Sequence, residues 1–115
     1  MKMLHVTIHT SCFEEELKFY QEIVGLQIVN DRRPGREMVF LANGDGETQI
    51  EIIGDPNASD AFNENVSVGF KTEDPAKKRE ELIAMGMEAT PMITPGPSVS
   101  FFFVKDPAGL RVQFM

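Results

Sequence analysis

Two imidazoles and one carboxylate are the groups in this chain best suited to chemistry: His5 and His9 near the start, and Glu51 at the close of the first half. Imidazole changes charge near neutral pH and carboxylate well below it, so such a set can move protons or hold a polar ligand. Spacing adds a second fact. From 5 to 67 and from 51 to 113 the shift is 62 residues in both cases, and it lands on Ser67 and Gln113. The order of predicted elements restarts over the same interval, so the four positions are equivalent places in two copies of one module.

Those elements follow from hydrophobic periodicity. Met3 to Thr10 alternates apolar and polar residues and predicts a strand, with His5, Thr7 and His9 on one face and Leu4, Val6 and Ile8 on the other. Ser11 and Glu14 have the spacing of a capping box, and Phe13, Leu17, Tyr20 and Val24 form an apolar helical stripe that Gly25 ends. Strands are predicted over Leu26–Asp31, Arg36–Ala42 and Thr48–Ile53, separated by the turns at Pro34-Gly35 and Asn43–Gly46. The first half is therefore β-α-β-β-β. A polar stretch without periodicity follows. Val66–Thr72 then reads as a strand, and Asp74-Pro75 as a helix start. That helix stops at Gly86. A short strand over Met87–Met92, a Thr94–Pro97 loop and strands over Val99–Lys105 and Leu110–Met115 complete a second β-α-β-β-β unit. The division is module one at 1–54, a linker at 55–64 and module two at 65–115, together one domain.

Composition narrows the function. The chain has 115 residues, 42% of them hydrophobic, which makes a real but small core that an oligomer would help to cover. The net charge of −7 excludes nucleic acid or an anionic membrane as the main partner, since phosphate binding needs a basic face. No stretch is long and apolar enough to cross a membrane, the N-terminus lacks a signal-peptide pattern, and the single cysteine, Cys12, cannot form an internal disulfide. A cytoplasmic protein is expected. Cys12 stands at a helix start, but with no His beside it in sequence it reads as a small buried residue.

The segments FYQEIVGLQIV and DPAGLRVQFM resemble the vicinal oxygen chelate superfamily, which includes glyoxalase I, bleomycin and fosfomycin resistance proteins and extradiol dioxygenases. The resemblance runs over nearly the whole chain. It implies an α+β fold in which two βαβββ modules form a curled mixed sheet, a cup for a small-molecule ligand, and it implies a homodimer. It also implies a metal site. In glyoxalase-like members a His on the first strand, a Glu on the fourth, a His on the fifth and a Glu on the last hold a divalent ion such as Zn, Ni, Fe or Mn. These positions fall on His5, Glu51, Ser67 and Gln113. His5 and Glu51 match. Gln113 can coordinate through its carbonyl oxygen, whereas the Ser67 hydroxyl is a weak ligand.

The family's main base position falls on Gln113, which cannot take a proton at neutral pH. Glu51 is then the remaining candidate base. His9 lies two strand steps from His5, about 7 Å, which is long for sharing one ion. It either lines the cup or is solvated at a strand end. Phe102, sharing a face with Ser98 and Ser100, is expected to line the pocket. Arg111, on the face of Gln113, could hold an anionic substrate group or stand solvated or at a dimer interface. Two function classes follow: a metal-dependent lyase, isomerase or dioxygenase, and a metal-free protein that binds and sequesters a small molecule in the bleomycin-resistance manner.

Overall fold

A computed structural model describes residues 1–59 and 65–115. The chain forms two compact units, Met1–Ala61 and Phe62–Met115. Residues 60–64 of the expected linker lie outside the described residues.

The first unit holds strand β1 (His5–Thr10), helix α1 (Phe13–Lys18), which runs on as a π-helical segment (Phe19–Val24), and strands β2 (Gln27–Asp31), β3 (Met38–Ala42) and β4 (Gln49–Gly54). The sheet order is β1-β4-β3-β2, with β1 parallel to β4 and the other pairs antiparallel. The core lies on the face where α1 packs. Ile8, Val39, Leu41, Ile50 and Ile52 point into it from the sheet, and Phe13, Leu17, Phe19, Tyr20 and Ile23 close over it from the helix. Strand alternation therefore leaves His5, Thr7, Phe40 and Glu51 on the other face.

The helix start departs from expectation. Cys12, not Ser11, flanks the first turn, and among the described residues no side-chain cap is found there, so the expected Ser11–Glu14 capping box is not the helix start. Thr10, fully buried at the end of β1, uses its hydroxyl to accept from the Cys12 N–H at 3.0 Å and so takes over part of that role. Gly25 ends the segment with φ 84°, a left-handed turn that a side chain would strain.

The second unit holds β5 (Ser67–Phe70), α2 (Pro75–Ala84), β6 (Ile93–Gly96), β7 (Val99–Lys105) and β8 (Arg111–Phe114), in sheet order β5-β8-β7-β6. Its core gathers Leu82 from the helix with Phe102, Val104, Val112 and Phe114 from the sheet. The helix start follows the sequence: Asp74 accepts from the Lys77 N–H at 3.1 Å, with Pro75 at the first helical position. The segment before β7 does not. Of Met87–Met92 only an isolated bridge, Ala89 to Val104, is sheet-like, and the expected loop carries the strand β6 instead. Thr90 explains part of this. Its N–H donates to the Phe103 carbonyl and its hydroxyl accepts from the Phe103 N–H, which fastens the segment beside β7 without a continuous ladder. Pro95 is tolerated in β6 because that strand is at the sheet edge.

The repeat holds at the level of paired residues. His5 stands opposite Gln49 in the first unit and Ser67 opposite Arg111 in the second, an offset of 44 in both parallel pairs. A shift of 62 therefore maps one register onto the other.

One ion pair is marked by its electrostatics. Arg33 donates to both carboxylate oxygens of Asp31, at 3.0 and 2.7 Å, and adds its backbone N–H at 3.0 Å. These bonds hold the Asp31 carboxyl down at about 2, from its ordinary 3.8. Because the folded value is the lower one, this pair supports folding above pH 3.8 and its support is lost as pH falls toward 2. A carboxyl-carbon NMR titration should find the Asp31 midpoint at about 2, moving up toward 3.8 in Arg33→Ala. An unmoved midpoint would remove the guanidinium as the cause. The Arg33 side chain is thus engaged in holding its own turn.

Candidate functional site

In the first unit the chemistry gathers on one row of the sheet. Pairing sets Thr7 beside Glu51 and Glu51 beside Phe40, with His5 one step along the same face. Glu51 is only 8% exposed. Thr7 Oγ1 donates to its Oε1 at 2.5 Å, and His5 Nε2 lies 3.5 Å from the same oxygen. The imidazole presents its edge to Phe40, with ring centroids 5.7 Å apart at 75°. His5 Nδ1 is buried and, among the described residues, without a hydrogen-bond partner. His9 is exposed on the same strand face, paired with Ile53.

Thr7 is the residue that sequence reasoning passed over. Alternation put it between His5 and His9, yet its role depends on Glu51, 44 residues later, and only the strand pairing brings the two together.

In the second unit Gln113 lies between Gly69 on β5 and Phe103 on β7, the same arrangement as Glu51 between Thr7 and Phe40. Ser67 is exposed and faces Arg111 across the strand pair. The Arg111 guanidinium lies over the Phe103 ring, 4.1 Å from its centroid, a cation–π contact that steadies the arginine. A cavity of about 680 Å³ opens beside Gln113, with Gly69, Lys71, Thr72, Ser98 and Ser100 in its wall. A smaller one, about 430 Å³, has Glu88, Thr90, Lys105 and Arg111 around it.

Phe102 is a correction. It was expected to line the pocket, and it is wholly buried instead, stacked on Phe114 with centroids 5.5 Å apart. Phe103 is the residue opposite Gln113, so the neighbouring Phe102 must point the other way, into the core under α2. Ser98 and Ser100 do line the larger cavity, as expected.

The donors can be tested against a resident metal ion within each unit. His5 Nε2 and Glu51 Oε1 are close enough to share an ion with bonds of about 2.0–2.2 Å. They are the only strong donors of their row, and among the described residues no group of three or more His, Cys, Asp or Glu could hold a metal. The oxygen nearest His5 already accepts from Thr7. A metal-bound imidazole normally donates its other ring N–H to a partner, and among the described residues Nδ1 of His5 has none. The donor set of neither unit by itself fits a resident ion.

A family model for the Glyoxalase/Bleomycin resistance protein/Dioxygenase superfamily matches residues 2–114, and the chain belongs to that superfamily. It is similar to a lactoylglutathione lyase of Haemophilus influenzae, at 27% identity over all of this chain and 92% of the relative. Among solved structures it resembles the trypanothione-dependent glyoxalase I of Leishmania major, with a TM-score of 0.78 and 22% identity over 100% of this chain and 86% of that one. It also resembles TnmS3, an antibiotic-binding protein of Streptomyces sp. CB03234, with a TM-score of 0.74 and 18% identity over 99% and 93% of the two chains. At these identities the structural likenesses establish the glyoxalase-like α+β fold.

Proposed function

We propose that this chain binds a small organic molecule against the sheet face of its second unit, and that it does so without a resident metal ion. The cavity beside Gln113 carries the reading. Its volume, about 680 Å³, falls in the range of small-molecule sites, and its wall mixes apolar side chains with hydroxyls, an amide and an amine. The position that would serve as base for a glyoxalase-type proton transfer is an amide there, and an amide binds without taking a proton at neutral pH. Glu51, the alternative base, accepts a hydrogen bond from Thr7 at Oε1. Antibiotic binding by TnmS3, on the same fold, is consistent with such a role.

A metal-dependent lyase, isomerase or dioxygenase is the second reading. It is favoured by the likeness to a lactoylglutathione lyase and by the retention of His5 and Glu51 at 3.5 Å. The two part on metal affinity. On the first reading, Zn, Ni, Mn or Fe(II) leaves the thermal midpoint of the chain unchanged. A rise that disappears in His5→Ala would favour the second.

A further inference from the structure

In the second unit, two steps along the strands from the row of Gly69, Gln113 and Phe103, the same sheet face carries a row of Ser67, Arg111 and Lys105. Lys105 and Arg111 are direct partners across the antiparallel pair of β7 and β8. Like charges set opposite each other in this way destabilise a sheet. The chain has 11 cationic residues against 18 acidic ones, so two cations side by side are not what its composition favours. Among the described residues the Arg111 guanidinium enters no ion pair that would offset the repulsion. Fold stability does not account for the pair.

Arg111 is also held in place. Its guanidinium lies 4.1 Å from the centroid of the Phe103 ring, its diagonal neighbour across the same strand pair. A ring under one face of a guanidinium leaves the N–H groups, which lie in its plane, for an acceptor. Both Arg111 and Lys105 line the smaller cavity, of about 430 Å³. Glu88 is the one acid among the described lining residues, so the wall carries one net positive charge, in a chain whose net charge is −7. Met87 and Ala89 add apolar wall.

We infer that this smaller cavity binds the carboxylate of a small organic acid. The Arg111 fork donates to both carboxylate oxygens, Lys105 adds its charge from the neighbouring strand, and the ligand's apolar body rests against Met87 and Ala89. One net positive charge suits a monoanion better than a dianionic phosphate monoester. The site is separate from the cavity beside Gln113 and does not depend on the reading given above for that cavity. Lysine in place of Arg111 keeps the charge but loses both the fork and the stacking on Phe103, which lowers affinity about tenfold. Loss of the Lys105 charge lowers it about fivefold.

Three matched probes test this: benzoate, benzamide and phenyl phosphate, titrated into ¹⁵N-labelled protein. Benzoate is expected to shift the amides of Glu88, Thr90, Lys105 and Arg111 and to bind more tightly than either of the others, about tenfold more tightly than the neutral amide. Arg111→Lys should weaken benzoate about tenfold and Lys105→Met about fivefold, each leaving benzamide unchanged. The second variant keeps the test valid should the first misfold. Benzamide binding as tightly as benzoate at these residues overturns the inference, as does unchanged benzoate affinity in a folded Arg111→Lys variant. Phenyl phosphate binding more tightly than benzoate overturns the assignment to a carboxylate. Benzoate shifts confined to Gly69, Lys71 and Gln113 overturn the inference and leave the reading of the larger cavity standing, and no shift with any probe overturns it as well.

Discussion

Replacing Phe102 by alanine should cost the second unit about 3–5 kcal/mol, whereas Phe103→Ala should cost about 1–2 kcal/mol. The two residues are neighbours of one type on one strand, so the difference isolates which face each occupies. Phe102 is fully buried, stacked on Phe114 and surrounded by Leu82, Val104 and Val112, none more than 2% exposed. Truncating it removes a whole ring from a close-packed core that cannot collapse around the gap. The Phe103 ring is half-buried beside Gln113 and under the Arg111 guanidinium, where solvent can fill much of the space it leaves. Urea unfolding of the two variants checks this. Equal losses, or a larger loss for Phe103, would mean that β7 is turned over, and that Phe102 reaches the cavity after all.

Thr7→Val should destabilise the first unit by about 1.5–3 kcal/mol, the range for a hydrogen bond to a charged group, while Thr7→Ser should be far milder. Valine keeps the shape and the β-branch but removes the donor. Glu51 is too buried for water to replace that donor easily, and the contact with His5 Nε2 is long at 3.5 Å. The loss should shrink in a Glu51→Leu background, where no carboxylate remains to be satisfied; this double-mutant comparison isolates the pair. A full loss retained in that background would assign the role of Thr7 to strand packing.

The sequence states the fold more clearly than the site, for a physical reason. Strand and helix periodicities are local, and so are the cap at Asp74-Pro75 and the stop at Gly25. The shift of 62 is a property of spacing, and the paired registers carry it through, His5 with Gln49 and Ser67 with Arg111. Which face a residue occupies is another matter. Phe101, Phe102 and Phe103 offer no alternation, so only the pairing with Gln113, made across the sheet, decides between them. The bond between Thr7 and Glu51 is long-range in the same way, and so is the close approach of Gln113 Oε1 to Gly69, which in the sequence is simply a glycine within a strand. The stretch from Met87 to Pro97 misled for a different reason. Its prolines signal turns, and the edge position that lets β6 carry Pro95 is a feature of the assembled sheet.

His5 and Glu51 remain the pair on which the functional reading turns. If they serve as part of a polar row and not as a metal centre, the folded chain has no preference for divalent ions over the unfolded one. An ion that bound only the folded chain, present at 100 times its dissociation constant, would add about 2.7 kcal/mol, a rise in thermal midpoint on the order of 10 °C for a chain of this size. The direct measurement is the midpoint of chelator-treated protein with and without Zn, Ni, Mn and anaerobic Fe(II), run beside His5→Ala and Glu51→Ala. The expected result is no rise with any ion. A rise of that size in the native sequence, absent from both variants, would contradict the account and establish His5 and Glu51 as metal ligands.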